Sequence, residues 1–251
     1  MMKNCFSVQQ FVLSGRYIET QRKGLIMARQ IEASGEEYYT LALPLRGYQS
    51  VTVEEKSVFR SDLNESAFPW GRDLISLTLN NMRSFEPPVL NNLKNLTING
   101  ISEGQNNLTL NQNINLDNLV IDVPETGANF HKVNFNHFAK NMLLKSMPCS
   151  GQTGSEFILQ GTARIPGLIL DLPENYRPAQ ICVYEYYGFP FTDLVWIIRS
   201  KTLIPLTGSR IDQLIHYLRA IYVPDELVED YKKATNWYMF ASKFYPLSSY
   251  E

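Results

Sequence analysis

A leucine pattern that recurs three times constrains the fold of this chain more than any other feature. The pattern L-x-x-L-x-L, with isoleucine allowed at its last position, begins at Leu74, Leu93 and Leu116. The second copy starts 19 residues after the first, and the third starts 23 residues after the second. This arrangement is typical of leucine-rich repeats, in which each copy forms one short strand. Because a single turn cannot bury its apolar side alone, the turns must stack on one another.

The equivalent leucines predict the register of that stack. Leu77, Leu96 and Leu119 occupy the same place in the three copies, so we expect them to lie side by side on neighbouring parallel strands and to face inward. Ten asparagines occur between Asn91 and Asn118. Asparagine tolerates left-handed turns and bonds backbone groups, so these residues suit the corners of a coiled chain. A disordered segment is the competing interpretation, and the interleaved leucines argue against it.

Short apolar runs continue the strand pattern beyond Pro124. We predict strands at 142–144, 157–159, 168–170, 181–183, 195–198 and 221–223. Three of the predicted strands end in the same motif, an aliphatic residue followed by proline and an acid, at Val123, Leu172 and Val223. The chain is therefore expected to leave its sheet at equivalent corners. The helical spacing of apolar residues in 211–218 predicts a short helix there.

Residues 1–61 lack the repeat and predict a small β-rich attachment domain. The alternation of apolar residues from Tyr39 to Leu45 has the period of two expected of a strand. Gly47 offers a turn and Val51–Val53 a return strand, which together predict a hairpin. For the stretch from Tyr17 to Ile31, helix and strand both remain open.

Residues 221–251 combine a strand, a proline turn and two short helical stretches. Pro224 ends the strand and, with the acids that follow it, suits the first turn of a helix, where the missing N–H costs nothing. The large apolar side chains at helical spacing are Leu227, Val228, Tyr231, Trp237, Phe240 and Phe244. We predict that these side chains cover the end of a stack of strands.

This terminal segment resembles the C-terminal end of BspA-type leucine-rich repeat proteins, which occur in gut and oral bacteria and in their phages. The matching residues are Ile221-Tyr222-Val223-Pro224-Asp225, Leu227-Val228, Tyr231-Lys232, Ala234, Asn236-Trp237, Ala241 and Tyr245-Pro246-Leu247-Ser248. With the repeats, the resemblance predicts a mainly β fold with short helices. Its parts are a small β-rich N-terminal domain (1–61), a leucine-rich-repeat-like solenoid (62–220) and a C-terminal helical cap (221–251).

Composition limits the classes of partner that this chain can bind and the cellular compartment in which it folds. The net charge is −2 and the charged fraction 19%, so no strong field favours nucleic acid. No apolar run reaches the roughly 20 residues of a membrane helix. The three cysteines are widely separated, which favours free thiols over a disulfide framework. The first residues lack the continuous apolar stretch of a secretion signal, so we expect synthesis and folding in a bacterial cytoplasm.

Few residues suggest a catalytic or metal-binding role. His131, His137 and Cys149 are the only grouping with metal-like residue types, but their spacing is not that of a zinc site. Cys149 could serve as a nucleophile with either histidine as base, although no third group to orient the base is evident. Glycoside hydrolysis requires two carboxyls in a cleft. Asp171 with Glu174 is one candidate pair and Asp122 with Glu125 is another, yet all four acids are also explained as turn residues. No catalytic residue, cofactor or metal is predicted.

An aromatic group offers a candidate binding surface. Its members are Tyr184, Tyr186, Tyr187, Phe189 and Phe191, followed closely by Trp196. Alternation along the strand would place Tyr184 and Tyr186 on one face. If exposed, they could stack on sugar rings or on a partner chain, since tyrosine combines a flat apolar area with a polar tip. If buried, they belong to the core, and the sequence leaves both alternatives open.

These observations predict a non-enzymatic structural or binding protein. BspA-type repeats act as adhesion modules, and a chain without a secretion signal reaches the outside as part of a particle. We therefore expect a phage virion component, such as a tail, fibre or capsid-decorating protein, working as an oligomer or in a larger assembly. Other virion or surface proteins and a cell-surface glycan are the expected partners. The alternatives are a glycan-cleaving phage spike enzyme and a scaffold in the bacterial cytoplasm or at the cell surface.

Overall fold

The computed structural model describes residues 74–86, 90–103, 106–111, 114–125, 127–160, 165–184 and 191–250, together with the backbone of five earlier strands. The fold is mainly β, with parallel sheets and a few short helices. The predicted fold class is confirmed at this level. No helix in the described part of the chain is long and apolar enough to span a bilayer.

The strands are, in chain order, β1 (Phe11–Leu13), β2 (Met27–Ile31), β3 (Glu37–Leu41), β4 (Ser50–Val53), β5 (Ser57–Phe59), β6 (Ser76–Leu79), β7 (Met82–Phe85), β8 (Asn95–Ile98), β9 (Asn106–Leu110), β10 (Asn118–Asp122), β11 (Phe130–Phe135), β12 (Asn141–Ser146), β13 (Glu156–Leu159), β14 (Ile165–Pro166), β15 (Ile169–Leu172), β16 (Gln180–Val183), β17 (Phe191–Thr192), β18 (Leu194–Ile198), β19 (Leu206–Gly208), β20 (Leu218–Val223) and β21 (Phe244–Pro246). Every predicted strand beyond Pro124 is present, with shifts of a few residues at its ends.

The first sheet contains the three leucine copies. Its order is β1-β4-β6-β8-β10-β12, and all neighbouring strands are parallel. Leu77 pairs in register with Leu96, and Leu96 pairs with Leu119. All three side chains are buried. The predicted inward register of the leucines is therefore confirmed.

A second sheet occupies the segments that return the chain between leucine copies. Its order is β19-β16-β13-β11-β9-β7-β5-β3-β2, and only the β2–β3 pair is antiparallel. From β4 to β13 the chain alternates strictly between the first and the second sheet. The second sheet was not predicted, because we interpreted segments such as Asn106–Leu110 as asparagine-rich corners. Their alternation of buried and half-buried residues becomes evident only in the structure.

The predicted hairpin near the N-terminus is wrong. β3 pairs antiparallel with β2, whereas β4, which contains the expected return strand, lies in the first sheet beside β6. β5 likewise pairs with β7 in the second sheet. Both sheets therefore continue across residue 61, where we placed a domain boundary. The division into three domains stays a prediction.

A third sheet, with the order β15-β18-β20-β21, follows the first along the chain. Among the described residues, β12 and β15 do not pair as neighbouring strands of one sheet. Instead, the side chain of Asn175 donates to Ser146 Oγ at 2.9 Å and accepts from the backbone N–H of Met147 at 3.0 Å. One asparagine thus bridges the place where the first sheet ends.

The helices are short and lie near the C-terminus. They are α1 (Ile211–Leu214), α2 (Val228–Lys233) and the 3-10 helices Asp225–Leu227, Trp237–Lys243 and Leu247–Ser249. The helix predicted over 211–218 is shorter than expected, because Leu218 already belongs to β20. Leu218 pairs with Leu194 in the third sheet, although the helical spacing of the apolar residues before it favoured a longer helix.

The core is one continuous cluster of buried residues that extends from Leu74 to Phe244. Aliphatic side chains occur along most of this cluster, and its buried members after Val228 are all aromatic. Phe138, Phe135, Phe157 and Tyr176 make successive edge-to-face contacts with ring centroids 5.5 Å apart. The turns also approach each other closely, since a Cβ at Gly100 would overlap the carbonyl oxygen of Asn80.

Candidate functional site

A column of polar side chains, three asparagines and one serine, lies on the first sheet at the start of β6, β8, β10 and β12. Asn95 Nδ2 donates to Ser76 Oγ at 3.0 Å. Asn118 Nδ2 donates to Asn95 Oδ1 at 2.7 Å, and Asn141 Nδ2 donates to Asn118 Oδ1 at 2.9 Å. In-register parallel strands place the same position side by side, and an amide can both donate and accept. We call Ser76, Asn95, Asn118 and Asn141 the asparagine column.

The other end of these strands carries a second pair of the same kind. Asn99 Nδ2 donates to Asn80 Oδ1 at 3.0 Å. Asn80 and Asn99 each follow the last core residue of a leucine copy, and they are 19 residues apart. The asparagines therefore join successive turns side by side, and are not solely corner residues as we expected.

Ion pairs also connect successive turns on the surface. The pairs are Lys140–Asp117 at 2.6 Å, Lys145–Asp122 at 3.1 Å, Arg199–Asp171 at 2.8 Å and Lys201–Glu174 at 2.8 Å. The hydrogen bond from Lys140 lowers the pKa of Asp117, and the hydrogen bond from Lys201 lowers the pKa of Glu174. The lowered pKa values favour the ionised forms of Asp117 and Glu174.

This pairing bears on the two carboxylate candidates for glycoside hydrolysis. A glycosidase needs one carboxyl whose pKa is raised so that it can donate a proton. Glu174 has the opposite shift, and the Arg199 guanidinium contacts both oxygens of Asp171, at 2.8 and 3.0 Å. Asp122 is bound to Lys145. These contacts suit surface ion pairs between turns better than an acid–base pair.

The C-terminal segment contributes a buried aromatic cluster. We define the terminal aromatic cluster as Trp196, Tyr231, Trp237, Phe240 and Phe244. The Trp237 ring lies 5.6 Å from Trp196, 5.4 Å from Tyr231, 6.2 Å from Phe240 and 5.7 Å from Phe244. All five side chains are buried. Of the other two residues predicted to cover the strands, Val228 is buried and Leu227 is half-buried.

Hydrogen bonds position this cluster against the loop before β19. Trp237 Nε1 donates to the carbonyl oxygen of Ile204 at 2.7 Å, and the Ile204 N–H donates to the Tyr231 hydroxyl at 3.1 Å. Asn236 Nδ2 donates to the carbonyl oxygen of Leu206 at 2.8 Å. Burial raises the pKa of Tyr231 to about 12. The segment therefore satisfies backbone groups that it also shields from water.

The predicted aromatic surface falls largely outside the described residues. Tyr186, Tyr187 and Phe189 lie there, as does the side chain of Phe191. Tyr184 is half-buried and follows β16. Trp196 is fully buried and belongs to the terminal aromatic cluster. Whether this stretch forms a binding surface stays a prediction.

Of the histidine and cysteine candidates, His131 and His137 are half-buried and Cys149 is buried. Burial lowers the pKa of His137 and raises the pKa of the Cys149 thiol. A raised pKa disfavours the thiolate that a nucleophile requires. Within the described ranges, no three histidine, cysteine or acidic side chains come together as metal ligands would.

A group of outward-facing tyrosines was not predicted. Tyr222 points away from the core between the buried Ile221 and Val223 of β20. Its ring lies 5.7 Å from that of Tyr245 and 4.9 Å from that of Tyr250. Tyr245 and Tyr250 are 44% and 39% exposed, respectively. Alternation along β20 could have revealed Tyr222, but the contacts with the last residues depend on the fold.

Comparisons of this chain with protein-family models, with curated proteins and with solved structures find no match.

Proposed function

We propose that this chain is a non-enzymatic structural and binding protein, built as a leucine-rich-repeat-like solenoid that residues 221–251 cap. The observation that carries the proposal is the in-register series Leu77, Leu96 and Leu119, with the asparagine column beside it. Turns that repeat in register display one surface many times over, which suits attachment better than chemistry at a single point.

The capping role is supported by the contacts of the terminal aromatic cluster. The last strand pair of a stack leaves apolar side chains and unpaired backbone groups open to water. The C-terminal segment does both. Trp237 and Tyr231 bury aromatic area and hydrogen-bond the backbone of Ile204, and Asn236 hydrogen-bonds the backbone of Leu206. Asp225 then anchors the chain end by accepting from the Ser248 hydroxyl at 2.6 Å and from its backbone N–H at 3.1 Å.

The proposed place of action is a phage virion, as a tail, fibre or capsid-decorating protein. This part of the proposal follows from the resemblance of residues 221–251 to BspA-type proteins of gut and oral bacteria and their phages. Other virion or surface proteins are the partners of such a component, and the outward tyrosines offer flat amphipathic area for a partner.

Quantitative mass spectrometry of purified particles tests the proposal. Phage particles from the source culture are purified by density gradient and compared with the particle-free supernatant and the cell lysate. A virion component is recovered in the particle fraction at a fixed number of copies relative to the major capsid protein. Recovery in the lysate alone would support the scaffold alternative and contradict the virion role.

A second assay addresses the enzymatic alternative. Purified chain is incubated with polysaccharide from the host surface, and the polymer length is measured by size-exclusion chromatography. A binding protein leaves the length unchanged while co-eluting with the polymer. Shortening that Glu174→Gln or Asp171→Asn abolishes would identify a glycosidase and overturn the non-enzymatic assignment.

A further inference from the structure

Asn99 and Gly100 form the one Asn-Gly dipeptide in the sequence. They follow β8 directly, where the chain leaves the first sheet. Each residue has its own structural reason for this position. Asn99 Nδ2 donates to Asn80 Oδ1 at 3.0 Å and so joins two successive turns. Gly100 permits the close approach of the backbone, because a Cβ there would overlap the carbonyl oxygen of Asn80.

The fold therefore places side by side two groups that can react with each other. The backbone nitrogen of a glycine can attack the side-chain carbonyl carbon of a preceding asparagine, because glycine has no side chain to shield that nitrogen. The Gly100 carbonyl oxygen accepts from the Met82 N–H at 2.9 Å, whereas the Gly100 N–H has no acceptor among the described residues. Gly100 is buried, but the Asn99 side chain is exposed, so water reaches the carbon under attack.

We infer that Asn99 is a site of spontaneous deamidation. A bond forms between the Gly100 nitrogen and Cγ of Asn99, and the Cγ–Nδ2 bond breaks. Nδ2 leaves as ammonia with the proton that the Gly100 nitrogen gives up. Water then opens the resulting five-membered imide. Cleavage of the new bond leaves an aspartate at position 99, whereas cleavage of the main-chain bond to Gly100 leaves an isoaspartate, whose backbone runs through Cγ.

The asparagines of the neighbouring column are protected from this reaction. Asn95 and Asn118 are each followed by a buried leucine within a strand. Their strands, β8 and β10, have a paired neighbour on both sides. The leucine side chain and the strand pairing both oppose closure of the imide ring. Reaction is therefore expected at Asn99 and not at the equivalent side chains of the first sheet.

An acid at position 99 disrupts the contact with Asn80. The amide nitrogen of Asn99 is the donor in this contact, and an ionised carboxylate can only accept. The carboxylate is ionised at neutral pH and faces the oxygen that accepted the hydrogen bond. An isoaspartate also lengthens the backbone just before Gly100, which is in close contact with Asn80. Both products loosen the junction between the two turns.

Peptide mass spectrometry of the aged full chain tests the inference. The purified protein is kept folded in a mildly alkaline buffer, sampled over several weeks and digested with trypsin. Residues 95–132 form a single tryptic peptide, because no lysine or arginine lies between Lys94 and Lys132. Fragment ions therefore compare Asn99 with Asn118 in the same molecule. We expect the exchange of NH2 for OH at Asn99, with isoaspartate among the products, while Asn118 keeps its amide.

A matched variant tests the mechanism. In Asn99→Gln the side chain is one carbon longer, so attack by the Gly100 nitrogen would have to close a six-membered ring. The loss of ammonia at this position should then be no faster than at Asn118. Rapid loss that persists in Asn99→Gln would contradict the attack by Gly100.

The consequence for the turns is measured on Asn99→Asp, which reproduces one product. Its melting temperature should fall by about 2 to 4 °C, as the loss of one hydrogen bond does in a domain of this size. Asn115→Asp adds the same charge at another exposed asparagine and should change the melting temperature by less than about 1 °C. If Asn99→Asp does not fold, the aged chain, separated by ion exchange into its charged and uncharged forms, provides the same comparison.

The outcomes are distinct. An Asn99 amide that persists as long as that of Asn118 overturns the inference. Conversion in the chain unfolded by urea but not in the folded chain also overturns it, since the fold would then protect the site. Equal melting temperatures before and after conversion would contradict the loss of the contact with Asn80. None of these results depends on recovery from particles, so the deamidation and the virion role are decided separately.

Discussion

Two regions of this chain build a core by different means. In the leucine turns, from Leu74 to Leu144, the buried positions of the first sheet are leucines and isoleucines that meet equivalent residues of the next turn. In the C-terminal segment, the core is the terminal aromatic cluster, and hydrogen bonds direct it to single backbone atoms of Ile204 and Leu206.

In the proposed solenoid, the difference follows from position in the stack of turns. An internal turn has a similar turn on each side, so the same aliphatic residue can be used again wherever the register places it. A terminal turn has a neighbour on one side alone. The residues that close it must cover a wide apolar area and bond unpaired backbone groups at once, which Trp and Tyr can do with one side chain.

The largest effect is expected in the terminal region. Trp237→Ala should lower the free energy of unfolding by about 3 to 5 kcal/mol, because it empties the centre of a fully buried cluster and leaves the Ile204 carbonyl unpaired. Urea denaturation followed by circular dichroism measures the change, and light scattering should show aggregation. The neighbouring Tyr238 is 59% exposed, so Tyr238→Ala should change stability by at most about 0.5 kcal/mol. Equal midpoints for the two variants would show that Trp237 does not close the end of the fold.

The leucine turns should be nearly as sensitive to truncation. Leu96→Ala is expected to cost about 2 to 5 kcal/mol, since Leu96 is 1% exposed and lies between Leu77 and Leu119. Leu143, on the next strand but one, is 50% exposed and serves as the matched control. Thermal denaturation of both variants makes the comparison. Similar losses for Leu96→Ala and Leu143→Ala would contradict the inward register.

The asparagine column should contribute less to the free energy of unfolding than the buried leucines beside it. Asn118 donates to Asn95 and accepts from Asn141, so Asn118→Ala removes two hydrogen bonds. Both lie at exposed positions, and we expect a loss of about 1 kcal/mol. A double-mutant cycle with Asn141→Ala isolates the shared bond, and the exposed Asn115 provides a control substitution. Strict additivity of the two single changes would show that the column does not couple the turns.

Acidification should have the smallest effect on stability, and it should lower the stability. The pKa values of Asp117, Glu174 and Asp225 are lowered by hydrogen bonds from Lys140, Lys201 and Ser248. Groups whose pKa falls on folding stabilise the folded state above their unfolded values, about 3.9 for Asp and 4.3 for Glu, and this contribution is lost as the pH falls through the folded pKa.

The melting temperature should therefore fall slightly below about pH 6.5, where the lowered pKa of His137 disfavours the folded state, and fall further below about pH 4. Glu174→Gln and its partner change Lys201→Met should both flatten that fall slightly. A melting temperature that rises on acidification would contradict the assigned pKa shifts.

Much of the first sheet could be predicted before any coordinates were known. The spacing of Leu74, Leu93 and Leu116 was sufficient for parallel strands in register, because a repeated apolar pattern has one arrangement that buries every copy. The burial of Trp237 was predicted for a similar reason, since a large aromatic at helical spacing among other apolar residues favours a packed face.

The candidate binding sites could not be predicted in the same way. A polar cavity lined by Glu103, Asn106, Asn129, His131 and Gln152 joins residues from three successive turns, and these residues form no motif along the chain. The outward tyrosines include Tyr222 and Tyr250, which only the return of the chain end over β20 brings together. Sequence spacing describes neighbours along one strand, whereas these sites depend on how separate turns meet.

The sequence by itself determined the period, the inward residues and the aromatic character of the end, because burial of apolar area follows directly from pattern. Tertiary structure alone decided that the return segments form a second sheet and that β3 pairs with β2 rather than with β4. Backbone pairing is available to every residue with an extended conformation, so pattern restricts the partners of a strand without selecting one. The selection depends on the packing of the whole stack.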